Sequence, residues 1–448
     1  MAKGRMRNRR IGRGMVTGGA AALIIALAIG TPDAAERHVK HPAPQKAPAQ
    51  TEDDFTGNSP PNAPAATGPQ QPGPQTAKGA PPVPAAPSLN QGLGIDTLAK
   101  HVFVLEADTN TVLFEKAAEE RMPTASMSKM MTAYVAFKML KDGKAKLTDE
   151  LPVSETAWRT QGSKMFVPLG GKIPIEDLLR GMIIESGNDA CVVLAEGLAG
   201  SQQAFVDLMN KEVEGMGLKN SHFTNVDGMP DPDHYSSPRD LATIALRTIH
   251  DFPEFYKIYS EKEYSFNNIK QGNRNPLLYK DLGADGLKTG HTEEAGYSLT
   301  ASVFRDGRRI ILVLGGDPSM KARAQESERL IEWTFRTFAN YKLFAAGDKV
   351  DDADVWLGAE PKVPVTVDKD LVVTLPRGAR KDMKVSVSYE RPVPAPVKKG
   401  QAVGEIIVSA PDMPAKTAKL YAAAADDRMG VMGRMATVAG YWIWGNGH

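Results

Sequence analysis

A serine and a lysine three residues apart, Ser126 and Lys129, are the residues of this sequence best suited to covalent chemistry. They lie in a segment, Ser126 to Lys141, whose pattern predicts one helix, and residues at i and i+3 share a helix face. A serine hydroxyl attacks a carbonyl when a neighbouring base takes its proton, and a lysine kept neutral by its surroundings can be that base. The spacing therefore predicts a serine nucleophile activated by a lysine.

Ser-x-x-Lys alone is a weak signal, because about two such patterns are expected by chance in a chain of this length. Here it occurs once, and two further motifs follow it in order: Ser186-Gly187-Asn188 and Lys288-Thr289-Gly290. Taken singly, such a serine or asparagine is more often a helix cap and such a lysine a solvated surface charge. The order of the three motifs favours the catalytic interpretation.

The three motifs resemble those of serine D-alanyl-D-alanine carboxypeptidases, the low-molecular-mass penicillin-binding proteins of the type-5 group, a peptidase S11-like family. The resemblance covers roughly residues 95 to 420. The segments that carry it beyond the motifs are Pro123 to Ser126, Glu185 to Cys191, Gly217 to Phe223, Asn273 to Asn275 and Asp285 to Thr292. Gly187 in the second motif fits this group better than the aspartate of class A β-lactamases.

The resemblance implies an acyl-enzyme mechanism on peptides that end in two D-alanines, with penicillin as a covalent inhibitor. Ser126 would be the nucleophile, Lys129 its base, and Ser186 the relay of a proton to the departing D-alanine. Backbone N–H groups at Ser126 and His291 would bind the oxyanion. Since two nearby cations resist both being charged, Lys288 and burial should lower the pKa of one of the lysines. The residues implied in substrate binding are Asn188, Lys288, Thr289, Gly290, His291, Arg323 and, at the rim of the site, Arg274.

Three alternative functions use the same fold. A class A β-lactamase needs a water held by a glutamate, usually in Glu-x-x-Leu-Asn after the second motif, and Glu196, Glu212 and Glu214 all lack that context. The missing context makes the β-lactamase alternative less favoured, without excluding slow turnover of β-lactams. A DD-endopeptidase would use the same residues and stays open. A non-catalytic peptidoglycan-binding protein would not need to keep a nucleophile and its base.

The composition excludes several other classes. The 448 residues carry a net charge of +1, so nothing in the overall charge indicates a nucleic-acid partner. Cys191 is the sole cysteine, which rules out an intramolecular disulfide, and its apolar neighbours predict a buried small hydrophobe. Eight histidines occur without a metal-binding spacing, so no metal and no cofactor are expected.

The N-terminal region predicts export. Residues 1–14 are basic without an acid and precede the apolar run Met15 to Gly30, which predicts a signal peptide over 1–35, with a retained membrane anchor as the alternative. Residues 36–91 are rich in proline and alanine and predict a disordered linker, since such a segment cannot bury enough apolar surface to order itself.

The catalytic domain is expected over residues 92–346. Val102 to Phe114 and Tyr297 to Leu314 predict two hairpins, the second with Asp306-Gly307 in its turn. Between and after them, helices are predicted at Ile175 to Ile184, Asp189 to Leu198 and Gln325 to Asn340. Strands at both ends with helices between them indicate an α/β (α+β) fold, one antiparallel sheet flanked by helices, of the serine transpeptidase and β-lactamase type that the resemblance implies.

Residues 347–420 predict a small all-β domain of short strands, including Val363 to Val367 and Lys384 to Tyr389. Residues 426–448 predict an amphipathic helix with Val431, Met435 and Val438 on one face. Its tryptophans and arginines suit a membrane interface, and the alternative is a helix packed on the β-domain. Together with the family resemblance, which implies peptidoglycan stems as substrate, these features predict a peripheral protein on the periplasmic face of the bacterial inner membrane.

Overall fold

The computed structural model describes residues 95–389, 391–411, 413 and 415–444. The predicted export signal (1–35) and the predicted linker (36–91) lie outside the described residues. The first strands of the chain, in order, are β1 (His101–Glu106), β2 (Thr111–Lys116), β3 (Glu150–Pro152), β4 (Lys172–Pro174), β5 (Glu263–Phe266), β6 (Ile269–Gly272), β7 (Ala284–Thr292), β8 (Gly296–Arg305) and β9 (Arg308–Asp317).

Eight helices accompany these strands in the described part of the chain, and four 3₁₀ turns occur along it. The helices are α1 (Lys129–Lys141), α2 (Glu155–Arg159), α3 (Ile175–Ile183), α4 (Asn188–Ala199), α5 (Gln202–Met216), α6 (Pro238–Asp251), α7 (Pro253–Tyr256) and α8 (Met320–Thr337). The 3₁₀ turns span Ala125–Ser128, Lys257–Ser260, Pro276–Tyr279 and Arg377–Asp382.

The central sheet has five antiparallel strands in the order β2-β1-β9-β8-β7. Its strands are apolar on both faces, which is the pattern of a sheet covered on both sides. Phe103 and Leu105 of β1 pack into the core formed with α1 and α3 to α6, whereas Val102 and Val104 face the core formed with α8. The predicted fold class, an antiparallel sheet flanked by helices, is confirmed.

The two predicted hairpins are present as β1–β2 and β8–β9. Asp306 and Gly307 both have positive φ, as the tight primed turn requires. The predicted helices over 175–184 and 189–198 correspond to α3 and α4 within one residue at each end.

Two helix predictions need correction. The segment Ser126 to Lys141 is not one α-helix, because a 3₁₀ turn over Ala125–Ser128 precedes α1. The helix predicted at Gln325 to Asn340 is shifted: α8 begins at Met320, where the Ser319 hydroxyl caps it, and ends at Thr337. Residues from Phe338 onward leave the helix because they pair in a strand.

The second domain consists of short strands, as predicted. These are β10 (Phe338–Phe344), β11 (Lys349–Trp356), β12 (Lys362–Thr366), β13 (Leu371–Pro376), β14 (Lys384–Tyr389), β15 (Val393–Pro394), β16 (Ala402–Ser409) and β17 (Lys416–Ala422). Six of them form a sheet in the order β14-β16-β17-β12-β11-β15, and β10 pairs with β13. Because β10 starts at Phe338, strand pairing begins before Gly347, where the sequence put the start of the domain.

The C-terminal helix α9 spans Val431–Trp444, so the predicted start at Asp426 is wrong. Asp426 instead pairs with Val397 and its carboxylate accepts a bond from the Glu360 N–H at 3.0 Å. These contacts hold the segment before Gly430 on the β-domain, and the helix starts only beyond it.

A buried polar cluster joins the two domains. The Arg308 guanidinium donates to the Glu106 carboxylate at 2.7 Å, and the Asn340 amide donates to the other carboxylate oxygen at 3.0 Å. The Thr374 hydroxyl of β13 donates to the side-chain amide oxygen of Asn340 at 2.8 Å. Glu106 is fully buried, and burial raises the pKa of its carboxyl while Arg308 opposes that rise. Asn340 thus connects the ion pair of the first sheet to β10 and β13.

Replacing Arg308 by leucine should destabilise the protein by about 3–5 kcal/mol, because it leaves a buried carboxylate without its cation. Urea unfolding followed by circular dichroism measures the loss. The control Arg159→Leu removes a solvent-exposed ion pair with Glu155 and should cost less than about 1 kcal/mol. Equal unfolding midpoints for the Arg308 variant and the parent would contradict the account of this cluster.

Candidate active site

Ser126 lies in the 3₁₀ turn that precedes α1, and close packing fixes this turn on two sides. A Cβ on Gly290 of β7 would lie 2.7 Å from the Thr124 carbonyl oxygen, and a Cβ on Gly228 would overlap the carbonyl of Ala125. Gly228 also has a φ of 86°, a conformation that favours glycine. The two glycines therefore allow the strand and the 225–229 loop to touch the backbone that carries Ser126.

The other serine of the first motif, Ser128, points into the protein. Its hydroxyl lies 2.6 Å from the Thr124 hydroxyl and 2.7 Å from Nε2 of His234. The backbone N–H of Thr224 donates to Nδ1 of His234, so Nε2 carries the proton and donates to Ser128. Burial lowers the pKa of His234 to about 4, which keeps the imidazole neutral. Ser128 is thus a structural residue that anchors the turn.

Lys129, the first residue of α1, brings its amine to Ser126 as the sequence predicted. Its Nζ lies 2.8 Å from the Ser126 Oγ and donates to the Asp227 carbonyl at 2.6 Å. The side chain is 1% exposed. A neutral amine in this position can donate to the carbonyl of Asp227 and still accept the Ser126 proton through its lone pair.

Burial lowers the pKa of Lys129, because desolvation disfavours the ammonium. Cys191 and Asp227 oppose the shift, and Arg274 adds to it. Cys191 opposes the lowering of the Lys129 pKa only when it is a thiolate. Because burial raises the pKa of that thiol to about 12, the thiol is neutral at pH 7 and does not oppose it there. The sequence predicted burial and Lys288 as causes; burial is the largest cause, and Arg274 is a further cation that lowers the pKa of Lys129.

The second motif occupies the turn between α3 and α4. Ser186 has a φ of 63° and is 1% exposed, and its Oγ accepts a hydrogen bond from the Lys288 Nζ at 2.9 Å. Lys288 lies on β7, so this bond connects the second motif to the third. A positive φ at a non-glycine residue is strained, and such strain is often found at functional sites.

Asp189 fixes the loop beside this motif. Its carboxylate accepts hydrogen bonds from the backbone N–H groups of Met165, Phe166 and Val167 at 2.9–3.1 Å. Asn188, the first residue of α4, donates from its amide to the Gln161 carbonyl at 2.8 Å. Residues 161–167 are therefore held against the N-terminus of α4.

Arg274 lies close to Lys129. Buried Asn273 donates to the carbonyls of Tyr259 and Glu261, and buried Asn275 donates to the Gly286 carbonyl, so the backbone around the arginine is fixed. The guanidinium donates to the Ser163 hydroxyl at 2.8 Å. Its charge acts on both Lys129 and Glu185. These interactions place the arginine beside Lys129 as well as beside the 161–167 loop.

The third motif lies on β7, an edge strand of the sheet. Lys288 and Thr289 are buried there, and the His291 ring stacks on Tyr297 of β8 with centroids 3.9 Å apart. Arg323, in the first turn of α8, is 1% exposed, and its Cζ lies 5.8 Å from the centroid of the same Tyr297 ring. The structure therefore brings His291 and Arg323 to one aromatic side chain.

The sequence did not identify the 225–229 loop or Glu185 as parts of the site. The amide of Asn225 accepts bonds from the N–H groups of Gly228 and Met229, which closes the loop that contacts Ser126 and Lys129. Asp227-Gly228 is a turn signal, but nothing in the sequence shows what that turn touches. Glu185 is buried beside Ser186, and burial raises the pKa of its carboxyl to about 8.

Cys191 is buried in α4, as predicted, with its thiol 3.2 Å from the Gly187 carbonyl. Within the described residues, no group of three or more histidine, cysteine, aspartate or glutamate side chains is arranged to hold a metal ion.

The serine–lysine pair lies at the start of a helix, beside an edge strand of an antiparallel sheet that is packed between helices. This combination defines the serine transpeptidase and β-lactamase class of acyl-transfer proteins. A family model described as D-alanyl-D-alanine carboxypeptidase (peptidase S11) matches residues 87–319, and one described as penicillin-binding protein 5, C-terminal domain, matches 338–428. The chain belongs to the D-alanyl-D-alanine carboxypeptidase family, which confirms the resemblance seen in the sequence.

Individual relatives agree with the family models. D-alanyl-D-alanine carboxypeptidase DacA of Escherichia coli is 42% identical over 316 residues, which are 69% of this chain and 78% of that protein. The crystal structure of penicillin-binding protein 5 from Haemophilus influenzae is 38% identical with a TM-score of 0.69, and the match covers 75% of this chain and 99% of that one. D-alanyl-D-alanine carboxypeptidase DacD from Francisella tularensis is 30% identical with a TM-score of 0.65 over 75% and 95% of the two chains.

Gly228→Ala should slow acylation of Ser126 by a fluorescent penicillin about 100-fold, the order expected when a reacting group moves by an ångström. The added methyl overlaps the Ala125 carbonyl and must displace the turn. The control is Gly217→Ala, which has a similar positive φ but nothing within 4 Å of the new Cβ. It should lose about 1 kcal/mol of stability and keep its acylation rate. Equal rates for the two variants would show that the loop does not position Ser126.

Proposed function

We propose that this protein is a serine-type D-alanyl-D-alanine carboxypeptidase that removes the terminal D-alanine from peptidoglycan pentapeptide stems. The observation that carries the proposal is the 2.8 Å contact between the Lys129 Nζ and the Ser126 Oγ in a chain of this family. Penicillin and other β-lactams would acylate the same oxygen, because their lactam amide resembles the D-Ala-D-Ala bond.

In the proposed acylation step, Lys129 takes the Ser126 proton as the hydroxyl attacks the carbonyl between the two D-alanines. Burial supports this role, since it favours the neutral amine that a base requires. The backbone N–H groups of Ser126 and His291 would bind the oxyanion that develops. The close approach of Gly290 to the Thr124 carbonyl supports that pairing, because it keeps β7 against the Ser126 turn.

Ser186 would pass a proton to the nitrogen of the departing D-alanine, with Lys288 supplying charge next to it. The 2.9 Å bond between them supports this relay, because a hydroxyl that accepts from an ammonium directs its own proton elsewhere. Asn188, which begins α4 next to this motif, would hold the amide of the substrate.

The terminal carboxylate of the substrate would bind to Lys288, Thr289 and Arg323, with Gly290 and His291 completing the strand edge. A guanidinium fork suits a carboxylate, and Arg323 lies over Tyr297 of β8, the strand next to that edge. Arg274 would have a second role besides contact with the substrate, because its charge also favours the neutral form of Lys129.

The rate at which the penicillin acyl-enzyme is hydrolysed distinguishes this proposal from the β-lactamase alternative. Glu196 lies near the end of α4, and Glu212 and Glu214 lie on α5, each in a context unlike that of a glutamate that holds water. Glu185 is adjacent to Ser186, but its carboxyl is protonated at pH 7 because burial raises its pKa to about 8. A protonated carboxyl cannot activate water as a general base, which favours slow release of penicillin.

We also propose that the mature protein is exported and attaches to the periplasmic face of the inner membrane through α9. Val431, Met432 and Met435 of this helix are 63–84% exposed, which supports a lipid-facing role over packing on the β-domain. Among the described residues, no helix has both the length and the apolar character needed to cross a bilayer.

Incubation with a pentapeptide muropeptide should release free D-alanine, and penicillin should add one adduct to the intact protein. Both should disappear in Ser126→Ala, because the nucleophile is lost, and mass spectrometry measures both. A cross-linked muropeptide dimer serves as the second substrate: conversion to monomer without D-alanine release would favour the endopeptidase. A penicillin adduct that persists in Ser126→Ala would contradict the proposed nucleophile.

A chain that ends at Gly430 should lose binding to anionic liposomes and keep its carboxypeptidase activity on small peptides. Cutting at Gly430 keeps the backbone bonds that Asp427 and Met429 make to the β-domain. A second variant, Val431→Glu/Met435→Glu, keeps the full length but puts charges on the apolar face. It should also fail to float with liposomes. Flotation of either variant at the level of the parent would contradict the anchor.

A further inference from the structure

One carboxylate beside the proposed carboxylate pocket has no role in the mechanism above. Asp317, the last residue of β9, pairs directly with Tyr297 of β8, which pairs with His291 of β7. Residues directly opposite each other in antiparallel strands point to the same face, so these three form one row across three strands. Arg323 lies over the middle member, with its Cζ 5.8 Å from the Tyr297 ring.

The Asp317 carboxyl is buried in an unusual way. It is 1% exposed, and neither of its oxygens accepts a hydrogen bond from any residue in the described part of the chain. Buried carboxylates are normally bonded, because an ionised carboxylate that loses its water needs donors in exchange. Burial raises the pKa of this carboxyl to about 7, with Glu326 adding to the rise and Arg323 and Lys116 opposing it.

The charged neighbours of Asp317 come from two elements. On α8 these are Arg323 and Glu326, and on β2 it is Lys116. Glu326 accepts bonds from Arg329, which overcome its burial and lower its pKa, so it stays ionised near neutral pH. The Lys116 ammonium donates to the Ala99 carbonyl at 2.7 Å. Glu326 therefore stays charged beside Asp317, and the other polar groups that face it are Lys116 on β2 and His291 at the end of the row.

We propose that Asp317 is a positioning residue for the carboxylate pocket, and that its charge state sets how strongly Arg323 attracts the terminal carboxylate of the substrate. The inference rests on the proposed function, since it concerns the same peptide ending in a carboxylate. A neutral Asp317 leaves the attraction of the guanidinium to the incoming carboxylate undiminished. An ionised Asp317 offsets the positive charge and repels the substrate anion.

The direction of the pH effect follows from the position of the titration. Below about pH 7 Asp317 is protonated and binding of the carboxylate is strongest; above it, Asp317 ionises and binding weakens. The dissociation constant should rise about tenfold across this range, the order of one charge-assisted contact. A ligand with no terminal carboxylate should show no such change, because it does not use Arg323.

Binding is measured on the full-length Ser126→Ala protein, which cannot turn the ligand over. Titration calorimetry with an N-acylated L-Lys-D-Ala-D-Ala peptide between about pH 5.5 and 8.5 should give the tenfold rise. The same peptide with a C-terminal amide is the control ligand, and its affinity should stay constant. In Asp317→Asn, the tenfold rise in the dissociation constant of the acid peptide should disappear.

A control variant removes a different carboxylate from the same helix. Glu328 is a partly exposed residue of α8 that pairs with Lys280, so Glu328→Gln should leave the pH dependence of the parent unchanged. Glu326→Gln removes a charge that raises the pKa of Asp317, and it should move the transition to lower pH. This second variant tests the inference even if Asp317→Asn fails to fold.

The same pH dependence in Asp317→Asn as in the parent, or an unshifted transition in Glu326→Gln, would overturn the inference. Failure of the proposed function gives a different result: the protein with intact Ser126 would release no D-alanine from the acid peptide.

Thermal stability provides an independent measure of the Asp317 titration. Because the folded-state pKa of Asp317 lies above its ordinary value of 3.8, its contribution to stability is complete below that value and is lost as pH rises through about 7. The melting temperature of Asp317→Asn should therefore increase relative to that of the parent as pH rises over this range.

Discussion

The site depends on the burial of one amine. Lys129 is surrounded by protein, and the loss of water makes its ammonium unfavourable while its neutral form remains bonded to the Asp227 carbonyl. A neutral lysine can take the Ser126 proton, whereas an ammonium cannot. If the amine were exposed, it would be charged at neutral pH and the serine beside it would have no base. The fold must therefore keep water away from Lys129 while leaving Ser126 accessible to a peptide.

Several elements meet this requirement together. Helix α1 is buried along most of its length, which places its first residue inside the domain. Glycines at 228 and 290 let a loop and an edge strand close around the turn that carries Ser126. The same strand brings Lys288 to Ser186, so the second and third motifs are joined by one hydrogen bond. Asp189 then fixes the loop over residues 165–167 beside them. Each contact comes from a different part of the chain, and the central sheet is the element that aligns them.

The sequence predicted the features that depend on local pattern. Three short motifs identified Ser126, Lys129 and Ser186, and alternating apolar residues with Asp306-Gly307 identified a hairpin that the structure contains. The family of the chain followed from those motifs. What the sequence could not supply was long-range proximity. Nothing in the pattern around Asn225 shows that its loop touches Ser126, and nothing around Asn273 shows that Arg274 lies close enough to act on Lys129.

The errors have the same origin. The effect of Arg274 on Lys129 was missed, because the sequence motifs directed attention to Lys288 as the cation that acts with burial. The end of α8 and the start of α9 were misjudged because tertiary pairing decided them. Strand β10 takes the residues after Thr337, and Asp426 bonds to the β-domain in place of a helix. The buried Asp317 gave no signal at all, since a lone aspartate after two glycines is typical of a surface turn.

The most direct test of the central claim is the pH dependence of Ser126 acylation by a β-lactam, measured as a second-order rate constant. If burial keeps Lys129 neutral, the rate should rise with pH to a midpoint below 10.5, the ordinary lysine value. In Lys129→Arg the rate should collapse at every pH, because the guanidinium remains charged and cannot accept a proton. A midpoint at the ordinary lysine value, or a Lys129→Arg protein that acylates at the parent rate, would contradict the account.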